Sequence, residues 1–272
     1  MKDRESSRRF AVTGIDGAGK NTIIEQVVKE LSPKYSIVKP NVPAYSLKDG
    51  HEQQHYTGLL HFLDLMYEYG DRTRNPRLIG AVNSLFVMAN SRLVEPGMVR
   101  NVRPDLVIGE RDFHLDPAVY ALVYSPLLAN KPMQERIKFL QKVTGAHQRT
   151  AIFFLTVPAD EAVRRIKGRI AGEKVSAEGV RRTKWRHMHE NGPTLQRLQR
   201  EYYPAITALQ QISPVDIVEI DTAELSPEGV AELVASKIDS YATFKTNSSN
   251  RWDVFPNPDK VRHLPVRSPL TG

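Results

Sequence analysis

The sequence predicts an α/β fold, a single domain on a parallel five-stranded sheet with helices on both faces. Three observations carry that expectation. Apolar runs suited to strands alternate with helically spaced segments along almost the whole chain, the pattern of a sheet joined by crossover helices. The run Asp105-Leu106-Val107-Ile108-Gly109-Glu110-Arg111 is apolar until an acid closes it, as strands buried on both faces are. The first run is followed by a glycine-rich turn that ends in lysine and opens a helix, Gly14-Ile15-Asp16-Gly17-Ala18-Gly19-Lys20-Asn21-Thr22.

In chain order, residues 9–13 read as a first strand and residues 23–28 as the amphipathic helix after the turn. Tyr35 to Lys39 reads as a second short strand, ended by Pro40 and Pro43. A polar, His-rich connection from Asp49 to Tyr56 leads to helical spacing from Leu59 to Tyr69. A further helix runs from about Pro76 towards Val99, with Pro96 expected to kink or restart it. Residues 105–111 form the third strand. Helical spacing returns over 117–128 and 133–143, with Asn130-Lys131-Pro132 as the break. Ala151 to Val157, β-branched and aromatic, is the clearest strand. Pro158 and the acids Asp160 and Glu161 open a helix in keeping with its dipole, and it turns basic at Arg164, Arg165, Lys167 and Arg169. A polar segment to Gly192, a helix over 193–211, a strand over 215–220 and a helix over 227–241 complete the domain, 1–241. Residues 242–272, rich in Ser, Asn, Pro and Arg, are expected to be a disordered or loosely packed tail.

Composition sets the outer limits. The chain has 272 residues, 40% apolar, a net charge of +7 and no cysteine. A sizeable core is affordable, thiol chemistry and disulfides are excluded, and a cytoplasmic protein is the default. The polar, mixed-charge start reads as neither signal peptide nor anchor, and no apolar run reaches membrane-spanning length. The positive charge gathers at residues 164–169 and in the tail and is not interleaved with stacking aromatics, so a nucleic-acid role is not expected. His51, His55 and His61, and the pair His187 and His189, match no zinc spacing and are read as solvated.

The turn at residues 14–22 is a phosphate-binding P-loop. Glycines let successive backbone N–H groups curl around an anion, the helix beginning near Lys20 directs its positive end at it, and the ammonium adds a full charge. One slot departs from the pattern: Asn21 replaces the Ser or Thr whose hydroxyl usually meets Mg2+. Asp16 places a negative charge inside an anion cradle, which makes sense if it binds a metal or accepts from a sugar hydroxyl. Glu110 and Arg111 close a Walker-B-like strand at the same edge of the sheet, a carboxylate suited to Mg2+ beside an arginine suited to a phosphate.

The loop resembles that of the thymidylate kinases, with an apolar residue, Asp-Gly-Ala-Gly-Lys and a Thr two places after the lysine. The likeness extends through Val42-Pro43-Ala44-Tyr45 after the second strand, Leu85 to Asn90, Glu110-Arg111-Asp112, Ala118-Val119-Tyr120, Leu155 to Pro158 with the basic run to Arg169, and Arg197 to Tyr203. It implies a single P-loop NTPase domain with a mobile basic lid at about 164–192. It also implies ATP and Mg2+ as cofactors, a deoxynucleoside monophosphate as acceptor and a homodimer.

Residue by residue, it implies that Gly14, Asp16, Gly17, Ala18, Gly19, Lys20, Asn21 and Thr22 hold ATP, with Lys20 on the transferring phosphates. Arg111 would take the acceptor phosphate, Asp16 the 3′-hydroxyl, Phe86 the base and Tyr120 the sugar, with Tyr45 and Asn90 at the same site. Asp16, Glu110 and Asn21 are the candidates for the metal. With no arginine in the loop, the resemblance assigns the catalytic arginine to the lid, where Arg165 and Arg169, four apart, would share one helix face. Ala44 and Asn90 stand where that family carries arginines, and Asp112 where it carries an aromatic.

Overall fold

The computed structural model describes residues 7–40, 44–46, 52–54, 57–145, 149–173, 189–213, 215–243 and 261–263. Its centre is five parallel strands: β1 (Arg8–Thr13), β2 (Ile37–Pro40), β5 (Leu106–Glu110), β6 (Ala151–Thr156) and β7 (Asp216–Asp221). With the short antiparallel strands β3 (Ala44–Ser46), β4 (Glu52–Gln54) and β8 (Val261–His263), the order across the sheet is β4-β3-β2-β5-β1-β6-β7-β8. The parallel sheet is the expected one. The bordering strands were not expected: β3 and β4 form a hairpin on β2, and β8, from the segment read as tail, pairs with β7.

Burial explains the centre. All six residues of β6 are buried, as are four of the six in β1, so these strands carry apolar side chains to both faces. The helices cover them: α1 (Lys20–Leu31), α2 (Thr57–Arg72), α3 (Pro76–Ala89), α4 (Glu95–Val102), α5 (Leu115–Tyr124), α6 (Pro126–Ala129), α7 (Met133–Thr144), α8 (Ala159–Glu173), α9 (Gly192–Ile212) and α10 (Pro227–Thr243). The long helix expected from Pro76 to Val99 is divided by a π-helical turn, Asn90–Val94, and Pro96 falls in the first turn of α4, where its missing N–H is harmless. Asn75 caps α3 and Asn191 caps α9, each side chain accepting a backbone N–H three residues on. Among the described residues no helix is long and apolar enough to cross a membrane. Residues 174–188, most of the expected lid, lie outside the described residues, as do His51, His55 and His187.

Candidate active site at the P-loop

The loop between β1 and α1 is built as the sequence requires. At Gly14, φ is +141° and a Cβ would stand 2.3 Å from the Leu155 carbonyl oxygen; at Gly17, φ is +86° and a Cβ would stand 2.5 Å from that of Ala162. A side chain at either position would push β6 or α8 away from the loop. Lys20, buried at the start of α1, donates its ammonium to the carbonyl oxygens of Gly14 (3.1 Å) and Ile15 (3.0 Å). Burial and the nearby Arg111 lower its pKa from 10.5, against the pull of Asp16 and Glu110.

Asp16 is the focus of the site. Its Oδ1 accepts from Arg111 Nη2 at 2.6 Å, and its Oδ2 accepts from the Tyr120 hydroxyl at 2.9 Å. His189 Nε2 lies 2.8 Å from the same Oδ2, and Lys20 Nζ is 3.8 Å from Oδ1. Burial alone would raise this carboxyl, but Arg111, Lys20 and His189 outweigh it and hold the pKa well below 3.8. Tyr120, with burial and Asp16 both pushing its pKa far up, keeps its proton and donates it. The Arg111 guanidinium also lies 4.8 Å from the Tyr120 ring centre, a cation–π contact.

Arg111 has φ +70°, a left-handed conformation that disfavours a branched or bulky residue. The kink is fixed from both sides. The Arg111 N–H donates to Val12 at 2.9 Å, and Asp112 Oδ1 accepts the N–H groups of His114 (2.9 Å) and Leu115 (2.8 Å), initiating α5. Asp112, which departs from the thymidylate kinase pattern, therefore shapes the turn that presents Arg111. Burial pushes the Asp112 carboxyl up, but the neighbouring His114, buried Arg149 at 3.5 Å from Oδ2 and the turn's own N–H groups together keep it below its ordinary value.

A second aspartate stands behind Arg111. Asp116, buried in the first turn of α5, accepts from Thr13 Oγ1 (2.6 Å), the Tyr202 hydroxyl (2.7 Å) and the Asp112 N–H (2.7 Å), and lies 3.5 Å from Arg111 Nη1. Here burial prevails over those partners and raises the pKa above 3.8. Asp116 ties the end of β1, the turn after β5 and helix α9 into one unit. Motif reading passed over it, because an acid in a first helical turn looks like dipole complementation. Tyr202 carries no local signal of its own.

The loop and Arg111 open on a cleft of about 1320 Å³ that runs between α3 and α5 towards α7, lined by Asp16, Asn21, Phe86, Asn90, Glu110, Arg111, Tyr120 and Arg169 among others. Phe86 lines the cleft and also packs on Leu63 and Val82. Asn90 begins the π-helical turn, and its buried Oδ1 has no hydrogen-bond partner among the described residues. Tyr45 lies in β3, and its side chain is outside the described residues.

The lid arginines do not converge. Arg165 is drawn away from the cleft to Glu161 (2.8 Å), the Thr222 hydroxyl (3.1 Å) and the Thr222 carbonyl (2.8 Å) beyond β7. Arg169 donates to Glu190 at 3.1 Å and faces the cleft. Equal spacing on α8 is overruled by different tertiary partners. The reading of His189 as solvated is corrected as well: it is 5% exposed, because Tyr120 and Tyr124 enclose its ring edge-on at 5.5 Å each. Its Nδ1 meets the Tyr124 hydroxyl. No group of three or more His, Cys, Asp or Glu side chains able to hold a metal occurs among the described residues.

No protein-family model matches this chain, and no curated protein matches it in sequence. Among solved structures it is similar to a deoxyadenosine kinase from M. mycoides, solved with the products dCMP and a flexible dCDP bound. The identity is 17% and the TM-score 0.53, over 85% of this chain and 99% of that one. The likeness is one of fold: a parallel α/β sheet with helices on both faces and a glycine-rich loop after its first strand.

Proposed function

We propose that this chain transfers the γ-phosphoryl group of ATP to a deoxynucleoside monophosphate, dTMP first among them, giving ADP and the diphosphate. The observation that carries the reading is that Asp16, within the phosphate loop, joins Lys20 of the same loop (3.8 Å) to Arg111 after β5 (2.6 Å), with Asp16 and Arg111 both lining one cleft. Such a site has a place for each substrate. The loop amides and Lys20 take the phosphates of ATP; Arg111 takes the acceptor phosphate; Asp16 and Tyr120 face the sugar; Phe86 offers its ring to the base. Transfer in line needs positioning and positive charge more than covalent help, and Arg169 at the cleft edge adds to that charge. Arg165 would join it only by leaving Thr222.

Mg2+ is implied by this chemistry, and the donors fit it unevenly. Both Asp16 oxygens accept from protein groups, whereas Glu110 and Asn21 bring a carboxylate and an amide oxygen to the cleft. Those are hard ligands that together with phosphate oxygens suit Mg2+, so Glu110 and Asn21 are the residues that would hold it. When bound, the ion would neutralise charge on the transferring phosphates.

A coupled ADP-release assay over deoxynucleoside monophosphates and deoxynucleosides tests the proposal. Activity greatest on dTMP supports it. Activity greatest on another acceptor supports a second reading, a kinase for a different deoxynucleotide or nucleoside, which Ala44 and Asn90 favour and to which the bound dCMP of the similar structure adds weight. Nucleotide binding without turnover would point to a regulatory P-loop protein, the reading that Asn21 favours. A homodimer belongs to the same proposal. Helix α2 leaves Phe62, Leu65 and Tyr69 exposed and α3 leaves Leu85 and Met88, apolar stripes that a second copy would cover.

A further inference from the structure

His189 is a buried, site-facing side chain to which the proposed chemistry gives no role. It lies two residues before the cap of α9 and far from the P-loop in sequence, yet its Nε2 reaches Asp16 Oδ2 at 2.8 Å. The other ring nitrogen is engaged by the Tyr124 hydroxyl, and that hydroxyl stands 3.3 Å from the Tyr67 hydroxyl on α2. The neighbouring rings of Tyr120 and Tyr124 both meet the imidazole edge-on, with interplanar angles of 81° and 85°. With both nitrogens engaged and two tyrosine rings against it, the imidazole cannot turn without losing two polar contacts and two aromatic ones.

This arrangement acts on the carboxylate. Oδ2 of Asp16 is fixed by Tyr120 and His189 together, which leaves Oδ1 directed at Arg111 Nη2. A carboxylate held by one partner can rotate; one held on both oxygens cannot, and Arg111 is then aimed as well as paired.

We propose that His189 is a positioning residue for the acceptor half of the site: anchored by Tyr124, it fixes Asp16, and Asp16 in turn aims Arg111 at the acceptor's phosphate. The inference rests on the acceptor-side roles of Asp16 and Arg111 given under Proposed function. His189 itself touches neither substrate in this scheme.

The full chain is first assayed against the acceptor panel, and the preferred acceptor is then used for the variants. In His189→Ala the acceptor KM should rise about tenfold or more, the size of one hydrogen bond to a charged group, while the ATP KM stays near the wild-type value even if the cavity left behind lowers the melting temperature. His189→Gln, whose amide Nε2 can reach Asp16, should recover most of the loss, and Tyr124→Phe should fall between the two. An unchanged acceptor KM in His189→Ala overturns the proposal. So does an equal loss for both substrates with a lowered melting temperature, or a glutamine no better than alanine.

A second measurement does not depend on turnover. In spectra of 15N-histidine-labelled protein, the His189 signal, assigned by its loss in His189→Gln, should move in Asp16→Asn, and a signal that stays in place overturns the contact. Wild-type protein that phosphorylates no acceptor removes the kinase reading and the positioning role with it. An active enzyme whose acceptor KM ignores His189 removes the positioning role alone.

Discussion

Asp16 and Asp116 both face Arg111, at 2.6 and 3.5 Å, yet the first carboxyl is held well below the ordinary value of 3.8 and the second is raised above it. Burial pushes both upward. The difference lies in the partners. Asp16 is surrounded by Arg111, Lys20 and His189, whereas the closest donors to Asp116 are the neutral hydroxyls of Thr13 and Tyr202 and a backbone N–H. The full charges of Arg111 and Lys20, with the contact to His189, overcome desolvation; neutral hydrogen bonds with one more distant cation do not. The same arginine thus has a carboxylate committed to the site on one side and, on the other, one committed to joining β1, α5 and α9.

Removing the shared arginine should have the largest effect. Arg111→Ala is expected to lower kcat/KM about 10³-fold or more, since it deletes the charge proposed for the acceptor phosphate and leaves Asp16 without its principal partner. Coupled ADP release measures it, and a loss under tenfold would show that Arg111 serves the fold alone. The two aspartates should then separate. Asp116→Ala strands Tyr202 and Thr13 in the interior and should reduce stability by about 3 kcal/mol in urea unfolding. Asp16→Asn should lower kcat/KM about 10²-fold and cost less stability than Asp116→Ala, since it keeps the shape of the side chain and an acceptor oxygen for its partners. A reversed pattern would exchange their roles.

The lid arginines offer a smaller test of the same kind. Arg169→Ala should lower kcat about tenfold with little change in ATP affinity, and Arg165→Ala, tied to Thr222, should lower it less. A larger kcat loss in Arg165→Ala would mean that it leaves Thr222 during turnover.

The smallest expected effect is the response of stability to pH. A carboxyl depressed by folding, such as Asp16, contributes stability that is fully present above 3.8 and lost as pH falls through its lower folded value. A carboxyl raised by folding, such as Asp116, binds its proton more tightly when folded, so stability declines as pH climbs from 3.8 to the folded value. Urea midpoints against pH should lose the acid-side fall in Asp16→Asn and the decline above 3.8 in Asp116→Asn. Identical profiles for the two variants would cancel the contrast.

The central sheet was legible because its strands are apolar on both faces, and a run such as Ala151-Ile152-Phe153-Phe154-Leu155 permits little else. The edges were not. Glu52–Gln54 and Val261–His263 are three residues each, too short for any periodicity to show. In the site, Gly14 to Thr22 and Glu110-Arg111 were legible from local chemistry alone. Asp116, Tyr202 and His189 were not, since each acquires its meaning from a residue more than eighty positions away: Tyr202 from Asp116, Asp116 from Thr13, His189 from Asp16. Arg165 and Arg169 show the converse: correct spacing on a helix does not determine where two long side chains go when Thr222 and Glu190 compete for them.

The borders of the sheet bear on how the protein behaves in concentrated solution. A parallel strand left open at an edge offers a row of N–H and C=O groups to any neighbouring molecule. Here the β3–β4 hairpin covers β2, and β8 covers β7 through the pairing of Val218 with His263 and Ile220 with Val261. The last segment of the chain thereby acts as a guard against intermolecular strand pairing. Its removal should be seen first as concentration-dependent association in sedimentation, ahead of any change in turnover.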